Sequence, residues 1–391
     1  MEKQFLLQAT ASAGLESLVA RELRNLDGME NVRIDDRSRI FFEGDAAAIF
    51  RSNLWLRTAD RVKLVVGEFK ATTFESLFDK IFALDWGSLI PLGSAFPVSK
   101  AKSVKSQLHN EPSIQSISKK AIVKKLQQIY HRPENVPLPE NGPEYKIEVA
   151  VYKDTVTVTI DTTGDSLFKR GYRTEHGGAP IKENMAAAII LLTNWMANPV
   201  RPFVDPTCGS GTFCIEAAML AQNRAPGLKR HFACEAWPWL TEETVKKERA
   251  VALDAVRADK SLDIQGFDID GKMIEVARRN TVAAGLENVV KYKQMQLQDF
   301  RTEALDGVIV SNPPYGERLL NEDAVRTLYK EMGETFQSLE TWSKYILTSD
   351  ENFESAYGSK ATKKRKLYNG TLRTDLYQYF GKRVKRESRN G

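Results

Sequence analysis

The glycine-rich segment Asp205-Pro206-Thr207-Cys208-Gly209-Ser210-Gly211-Thr212 constrains the fold of this chain more than any other feature. It follows the apolar stretch Pro202-Phe203-Val204 and precedes a helical pattern over Phe213 to Leu220. Strand, glycine-rich turn and helix form the first unit of a nucleotide-binding α/β sheet, where glycine lets a ligand approach the backbone. Cys214 replaces the third glycine of the dinucleotide fingerprint, and the Gly-Lys-Ser/Thr of a P-loop is missing. Both departures argue against a dehydrogenase and a nucleoside triphosphatase.

Acidic residues follow at the ends of later strand patterns. Ile264 to Asp268 reads as a strand that ends on an acid, and a helix is predicted from Met273 to Ala284. An acid there can accept hydrogen bonds from both ribose hydroxyls of an adenosyl group. Asp268 is the better candidate, whereas Asp270 fits a helix N-cap. Asp299 could accept a hydrogen bond from an adenine amino group or could cap a helix, and the sequence leaves both roles open.

Asn312-Pro313-Pro314-Tyr315 follows the strand pattern Asp306 to Ser311. Pro313 pushes Asn312 into an extended conformation. The Asn312 side-chain oxygen and the Pro313 carbonyl can then both accept hydrogen bonds from one NH2 group, and Tyr315 offers a flat face for stacking on a base. Such a site suits methyl transfer to an exocyclic nitrogen. Asn-Pro-Pro also occurs in ordinary turns, so the motif alone leaves that simpler interpretation open.

These four elements, in this order, resemble the class I S-adenosylmethionine-dependent methyltransferases that act on amino nitrogens. Four further segments resemble a narrower family: Lys169-Arg170-Gly171-Tyr172-Arg173, Ala179 to Ala188, Asn223 to Gly227, and Lys366-Leu367-Tyr368-Asn369-Gly370. That family is the bacterial 23S ribosomal RNA guanine-N2 methyltransferases with a THUMP domain, in the single-methyltransferase form of Gram-positive bacteria. The resemblance covers essentially the whole chain. It implies S-adenosylmethionine as cofactor and RNA as partner, with 23S ribosomal RNA first and transfer RNA as the alternative.

The expected site residues fall into two groups. The predicted cofactor-binding residues are Asp205, Thr207, Gly209, Gly211, Thr212, Asp268, Ile269, Asp299 and Asn312. The predicted catalytic residues are Asn312, Pro313, Pro314 and Tyr315. The guanine 2-amino group is a poor nucleophile, and hydrogen bonds from it to Asn312 and Pro313 would favour a tetrahedral nitrogen. Positioning then supplies much of the acceleration, so no strong base is expected.

The predicted architecture is an α/β fold, with a C-terminal Rossmann-like methyltransferase sheet behind an α+β RNA-binding region. Residues 1–65 are expected to form a ferredoxin-like subdomain and residues 66–165 a THUMP domain. Residues 166–185 would form a bridge, and residues 186–391 the methyltransferase domain with a basic tail. Within the THUMP region, Ser113 to Tyr130 shows helical spacing, and Tyr145–Tyr152 and Thr155–Thr162 flank Lys153-Asp154 in a hairpin pattern. About sixty residues separate Gly209 from Asp268, and the excess is rich in tryptophan and charge.

Positive charge is concentrated in two segments of an otherwise acidic chain. Residues 99–132 carry a net +7 and residues 360–391 a net +9; because the whole chain carries +5, the remainder carries −11. Such a distribution fits a polyanionic partner, although solvated helix faces and tails also carry lysines. The predicted RNA-binding residues are Lys100, Lys102, Lys119, Lys120, Lys124, Lys169, Arg170, Tyr172 and Arg173. For the last four, an exposed interdomain hinge is the alternative.

Composition limits what the chain can do in terms of location, metal binding and membrane insertion. Three cysteines without metal-ligand spacing, and no apparent signal peptide, favour reduced thiols and a cytoplasmic location. The four histidines are scattered, so no metal is expected. The longest apolar run, Met185 to Leu192, is too short to span a bilayer. Two functional alternatives stay open: a transfer-RNA guanine-N2 methyltransferase, and a non-catalytic RNA-binding or ribosome-assembly protein with a methyltransferase fold. A DNA adenine or protein glutamine enzyme fits less well with an RNA-binding front region.

Overall fold

The computed structural model describes residues 3–173, 180–258, 261–314, 322–370 and 372–383. The described first half of the chain contains nine strands: β1 (Phe5–Thr10), β2 (Glu30–Ile34), β3 (Ile40–Gly44), β4 (Arg61–Lys70), β5 (Gly93–Ala95), β6 (Val98–Val104), β7 (Glu140–Glu144), β8 (Ile147–Tyr152) and β9 (Thr155–Asp161). It contains four α-helices: α1 (Glu16–Arg24), α2 (Ala46–Trp55), α3 (Phe74–Phe82) and α4 (Glu111–Ile129).

Seven of these strands form one continuous front sheet in the order β2-β3-β1-β4-β9-β8-β6, and β5 and β7 form a separate pair. Only the β6–β8 pairing in the front sheet is parallel. The predicted boundary at residue 65 falls inside β4, which pairs with β1 on one side and β9 on the other. The ferredoxin-like and THUMP regions therefore share one sheet.

The predicted hairpin of the THUMP region is confirmed. Strands β8 and β9 pair antiparallel, and Tyr152 lies opposite Thr155. Lys153 and Asp154 between them have φ angles of 47° and 60°. Positive φ at both central residues is the geometry of a type I′ turn, whose twist matches that of paired strands. The predicted helix is also confirmed as α4, with the Asn110 side chain accepting a hydrogen bond from the Ser113 amide.

The second half contains seven described strands: β10 (Phe203–Asp205), β11 (Ile264–Asp268), β12 (Val290–Gln294), β13 (Val308–Ser311), β14 (Ser343–Thr348), β15 (Lys363–Asn369) and β16 (Leu372–Tyr379). Its described α-helices are α5 (Glu183–Leu192), α6 (Thr212–Ala221), α7 (Glu242–Asp254), α8 (Gly271–Ala284), α9 (Glu322–Gln337) and α10 (Phe353–Tyr357). The strand order is β12-β11-β10-β13-β14-β16-β15, and β16 runs antiparallel to both neighbours. The rest of the sheet is parallel, which confirms the predicted Rossmann-like fold class.

The segment between α6 and β11 packs the methyltransferase sheet against the front sheet. The Trp237 ring stacks on the Tyr145 ring of the THUMP region, with 4.6 Å between centroids and 11° between planes. The Trp239 ring stacks on Phe5 of β1 at 5.2 Å. Glu248 of α7 accepts two hydrogen bonds from the Arg51 guanidinium of α2, at 2.8 Å and 2.6 Å. This tryptophan-rich insertion therefore supplies ring stacking and an ion pair that join the two halves of the chain.

Strand β15 makes a second contact between the halves. Its Leu367 lies in the same buried cluster as Leu15 and Leu18 near α1. The Arg365 guanidinium donates to the Gly14 carbonyl at 2.8 Å. In the described ranges, no helix is both long and apolar enough to cross a membrane.

Candidate active site

Strand order brings the predicted site residues to one edge of the second sheet. Strand β10 lies between β11 and β13. After β10 the chain adds β11 and β12 on one side of it, and then crosses to the other side to form β13. Ligands of open α/β sheets bind at such a reversal, outside the carboxyl ends of the strands. Asp205, Asp268 and Ser311 end β10, β11 and β13 respectively, and Asn312 follows directly.

The two glycines of the turn after β10 serve different purposes. Gly209 has a φ of +50°, and a Cβ built there would meet no atom within 4 Å. It therefore borders open space that a ligand could use. Gly211 has a φ of +83°, and its Cβ would lie 2.5 Å from the Tyr292 hydroxyl and 3.1 Å from the Ala277 Cβ. Close approach of a ligand fits Gly209, whereas Gly211 is required by the packing under the turn.

Asp205 lies beneath the turn and is 2% exposed. Its Oδ1 accepts a hydrogen bond from the Thr207 amide at 3.2 Å. Burial raises the pKa of the Asp205 carboxyl well above its usual value. This placement favours a supporting role for Asp205 in the turn, in place of the direct cofactor contact predicted from sequence.

Asp268 is positioned by two backbone amides. Its carboxylate oxygens accept hydrogen bonds from Gly209 and Asp270, each at 2.9 Å. Each carboxylate oxygen keeps a second lone pair for a ligand hydroxyl. Burial is the largest influence on this carboxyl and raises its pKa. The Asp270 side chain accepts from the Lys272 amide at 2.8 Å as the N-cap of α8, so the cap interpretation of Asp270 is confirmed.

Two further predicted cofactor residues lie beside Asp268. Ile269 is 68% exposed, an unusual position for a large apolar side chain and one suited to cover a flat ring. Asp299 is exposed and is the last residue of a short 3₁₀ turn, Leu297–Asp299. Gln296 occupies the N-cap position of that turn, which weakens the cap alternative for Asp299.

The Asn312 turn holds a buried polar atom that has no partner in the part of the chain that the structure describes. Asn312 Oδ1 is buried and accepts no hydrogen bond from any described residue. Pro313 is buried and Pro314 is half-buried, so the turn is fixed against the sheet. The Ser311 hydroxyl lies 2.7 Å from the Thr207 hydroxyl, which links this turn to the glycine-rich one. Tyr315, predicted to stack on the base, lies outside the described residues.

The bridge departs from its prediction. Arg170 and Tyr172 are 2% and 3% exposed, so neither side chain is available as the RNA contact expected from sequence. The Arg170 guanidinium and the Tyr172 hydroxyl both face one oxygen of Glu216 on α6, at 3.4 Å and 3.0 Å. Burial and the nearby Glu216 raise the pKa of Tyr172 well above its usual value. Both side chains are buried against the Glu216 carboxylate, so we correct their predicted role from RNA binding to a structural one.

Arg173 also works mainly within the fold. It forms an ion pair with Glu183 at 3.0 Å and donates to the Thr212 hydroxyl at 2.8 Å. Thr212 is the first residue of α6 and follows the glycine-rich turn. Arg173 and Thr212 therefore join the bridge to the predicted cofactor site. Lys169 remains at the surface, where its ammonium pairs with Asp165 at 3.1 Å.

The predicted RNA-binding lysines of the front sheet are not equivalent. Lys100 and Lys102 of β6 and Lys120 of α4 are exposed. Lys119 instead binds Glu140 at 2.6 Å and lies 3.5 Å from the centre of the Phe96 ring, and burial lowers its pKa. Lys124 is half-buried and lies 3.4 Å from Glu134. The exposed Lys100, Lys102 and Lys120 therefore fit the predicted RNA-binding role better than Lys119 and Lys124 do.

Sequence reasoning missed two residues that support the site. The strand pattern Asp306 to Ser311 identifies Ser311 only as the end of a strand, although its hydroxyl joins the two turns. Asn280 of α8 donates from Nδ2 to the Ser210 carbonyl at 3.1 Å and so holds the glycine-rich turn from below. The Asn280 side chain is polar on the buried face of a helix, and that mismatch with the apolar pattern was the available signal.

Comparison with known protein families gives three matches along the chain. The RlmL ferredoxin-like domain matches residues 7–63, the THUMP domain residues 71–161, and the RMKL-like methyltransferase domain, UPF0020, residues 170–386.

Individual relatives extend over nearly the whole chain. YpsC of Bacillus subtilis (strain 168), named as a candidate RNA methyltransferase, is 51% identical over 380 residues, which cover 97% of each protein. The ribosomal RNA large subunit methyltransferase K/L of Methylococcus capsulatus is 35% identical over 383 residues. That alignment covers 95% of this chain but 50% of the relative, so this chain spans about half the length of the K/L proteins.

A solved structure shows the same arrangement. The crystal structure of SMU.472, described as a candidate methyltransferase complexed with SAH, superposes with a TM-score of 0.93 and 62% sequence identity. The match covers 98% of this chain and all of that one. Both the front sheet and the methyltransferase sheet are therefore present in that relative.

Proposed function

This chain belongs to the UPF0020 family of RMKL-like methyltransferases, and from that premise we propose that it methylates the exocyclic 2-amino group of a guanine in 23S ribosomal RNA. At the coarser level it is an S-adenosylmethionine-dependent RNA methyltransferase of the large-subunit ribosomal RNA group. Its cofactor is S-adenosylmethionine and its partner is RNA. The acceptor base and the choice of ribosomal RNA are the proposal.

The observation that carries the proposal is that the buried Oδ1 of Asn312 has no hydrogen bond to any described residue. A buried acceptor without a hydrogen bond costs about 1–3 kcal/mol, and an incoming N–H donor would remove that cost. The Pro313 carbonyl follows Asn312 directly and supplies a second acceptor. An amino group with two N–H donors, such as the guanine 2-amino group, matches this pair. The preference for guanine over adenine rests on the resemblance of the whole chain to guanine-N2 enzymes.

The residues around the glycine-rich turn fit the cofactor. Open space above Gly209 leaves room for it, and the remaining lone pairs of Asp268 suit the two ribose hydroxyls. Exposed Ile269 would cover the adenine ring, and exposed Asp299 would accept from its amino group. When bound, S-adenosylmethionine supplies a methyl group on a positively charged sulfur.

The Asn312 turn would prepare the acceptor nitrogen. The lone pair of an exocyclic amino group is delocalised into the base, which makes the nitrogen a weak nucleophile. Two hydrogen bonds from its N–H groups, to Asn312 Oδ1 and to the Pro313 carbonyl, favour a tetrahedral nitrogen with a localised lone pair. Rigid prolines hold both acceptors in place, and preorganised groups of this kind stabilise charge that develops in the transition state. The proton leaves to water or to the Asn312 oxygen.

Direct transfer of a labelled methyl group tests the proposal. The purified chain is incubated with S-adenosylmethionine and with 23S ribosomal RNA from a strain that lacks the protein, and nucleosides are separated by mass spectrometry. N2-methylguanosine at one position of the RNA is the expected product. Transfer RNA from the same strain and an unstructured RNA serve as matched substrates.

Each alternative predicts a different product. N2-methylguanosine in transfer RNA alone would transfer the assignment to that substrate. N6-methyladenosine would contradict the base assignment while leaving the amino-group chemistry in place. Absence of any methylated nucleoside, with S-adenosylmethionine bound, would favour the non-catalytic RNA-binding or assembly protein.

A further inference from the structure

A cleft of about 660 Å³ opens where the bridge meets the tryptophan-rich insertion. The bridge side contributes Phe168, Lys169, Arg173 and Lys182, and the insertion contributes Arg230 and His231. The volume lies in the range of pockets that hold small ligands. The same segment that buries Arg170 and Tyr172 therefore presents its other residues to a concave surface.

The cleft combines positive charge with an aromatic face. Four cations line it, Lys169, Arg173, Lys182 and Arg230, against the two carboxylates of Asp165 and Glu183. The Lys182 ammonium lies 4.8 Å from the centre of the Phe168 ring. A net positive wall beside an aromatic ring is the chemistry that binds a nucleotide, with the phosphate on the cations and the base on the ring.

The wall of the cleft is held rigidly. Arg230 donates to the carbonyls of Asp165, Ser166 and Lys169, and therefore fixes the first part of the bridge. Arg173 is fixed by Glu183 and Thr212. Lys169 and Lys182 make weaker contacts. Among the described residues, the Lys169 ammonium pairs with Asp165 alone, whose side chain is 73% exposed, and the Lys182 ammonium lies over the Phe168 ring. These two ammonium groups are free to turn toward an anion.

The cleft adjoins the predicted cofactor turn. Its Arg173 donates to Thr212, which directly follows Gly211, and its Glu183 begins α5. Thr212 lies at the same carboxyl edge of the sheet as Asn312, because β10 and β13 are parallel neighbours. The cleft is therefore connected through Arg173 and Thr212 to the sheet edge that holds Asn312.

We propose that the cleft binds an unpaired nucleotide of the RNA strand that flanks the target guanine. The Phe168 ring stacks on its base, and Lys169 and Lys182 bind its phosphate. This assignment rests on the proposed function, since it identifies the flanking RNA for that acceptor. It replaces the buried Arg170 and Tyr172 by Phe168 and Lys182 as the RNA contacts of the bridge.

The test compares RNA binding and cofactor binding in the full chain. The variants are the double substitution Lys169→Gln with Lys182→Gln, and separately Phe168→Leu and Phe168→Tyr. Lys247→Gln, an exposed residue of α7 that does not line the cleft, is the matched control. The probes are 23S ribosomal RNA from a strain that lacks the protein, titrated at several salt concentrations, and SAH followed by calorimetry. Thermal unfolding confirms that each variant is folded.

The double lysine variant should bind the RNA about tenfold more weakly, and the slope of log K against log salt should fall by about 0.7, for the loss of one single-strand phosphate contact. Phe168→Leu should weaken RNA binding about tenfold without a change of slope, and Phe168→Tyr should restore it. SAH affinity should be unchanged in every variant, and Lys247→Gln should behave as the wild type.

Two results would overturn the inference. Wild-type RNA affinity and salt slope in the double lysine variant would remove the nucleotide from the cleft. Weaker SAH binding with intact RNA binding would assign the cleft to the cofactor. The proposed function fails separately: if the wild-type chain makes no N2-methylguanosine, the binding measurements still decide the role of the cleft.

Discussion

The bridge and the Asn312 turn both bury polar side chains, but they differ in what those side chains face and in where they lie in the fold. At the bridge, Arg170 and Tyr172 both face the Glu216 carboxylate. At the turn, Asn312 Oδ1 has no hydrogen-bond donor in the described structure. Glu216 Oε2 also lacks a hydrogen bond to the described residues, but Glu216 is fully enclosed. Asn312 instead follows the carboxyl end of β13, at the edge where open α/β sheets bind ligands, so an unpaired acceptor there indicates that a ligand completes it. The comparison assigns Arg170 and Tyr172 to the fold and supports the proposed role of Asn312 in the reaction.

The largest effect is expected at the bridge, on stability. Arg170→Met leaves the fully buried Glu216 without its cation, and breaking one side of such a pair costs about 3–5 kcal/mol. Chemical denaturation of the variant should show a loss of that size. The matched exposed pair, Arg278 with Glu275, should cost less than about 1 kcal/mol when Arg278 is replaced by Ala.

The double variant Arg170→Met with Glu216→Leu sharpens this result. It removes both charges, so it should recover much of the stability lost by Arg170→Met alone. Wild-type stability of Arg170→Met together with poor RNA methylation would assign Arg170 a role in the reaction. That result would contradict the structural role given to the bridge.

The second effect is expected at Asn312, on turnover. Asn312→Ala should slow single-turnover methyl transfer by about a hundredfold or more, because loss of one preorganised polar group has that cost. Stability and SAH affinity should hardly change, since Oδ1 has no hydrogen bond to any residue that the structure describes and is proposed to act mainly in the transition state. A wild-type rate would leave Asn-Pro-Pro as an ordinary turn, and a large loss of stability would place Asn312 with the bridge residues.

Asp268 is expected to combine a structural role with a ligand-binding one. Its carboxylate accepts hydrogen bonds from two backbone amides and also faces the space expected for the cofactor. Asp268→Ala should weaken SAH binding by about 2–3 kcal/mol, the value of hydrogen bonds to a charged acceptor. Isothermal titration measures this loss. Asp270→Ala, which removes only the cap of α8, should reduce stability by about 1 kcal/mol and leave SAH binding intact. Equal SAH affinity in both variants would remove Asp268 from the cofactor site.

The smallest effect is expected on the front sheet. Lys100→Gln with Lys102→Gln removes two exposed charges from β6, and the salt slope of RNA binding should fall by about one for each lost phosphate contact. Lys119→Gln, whose ammonium is already bound to Glu140, should leave the slope near the wild-type value. An equal loss in both would mean that an existing ion pair does not keep a lysine from RNA.

The elements around the site could be predicted because their signals are local. The turn after β10, the acid that ends β11 and the Asn-Pro-Pro turn after β13 each combine a short strand with a residue of special geometry. Such signals depend on neighbours in the chain, which the sequence shows directly. The hairpin β8–β9 is of the same kind, since Lys153 and Asp154 lie between two alternating strands.

The bridge could not be read correctly from sequence. Lys-Arg-Gly-Tyr-Arg has the composition of an exposed RNA contact, and its burial depends on Glu216, which lies 46 positions after Arg170. The insertion posed the same problem. Trp237 and Trp239 follow no regular period, and the rings they pack on, Tyr145 and Phe5, belong to distant parts of the chain. Long-range pairing of this kind has no local signature.

The tryptophan stacks of the insertion also have a consequence for how the enzyme selects its substrate. With Trp237 packed on Tyr145 and Glu248 held by Arg51, the exposed lysines of β6 and the reacting turn at Asn312 lie at a set separation. If RNA binds at these lysines, as proposed, only bases at a fixed distance from that contact can reach Asn312. The enzyme would then select its nucleotide by the distance between the β6 lysines and Asn312 as well as by base identity.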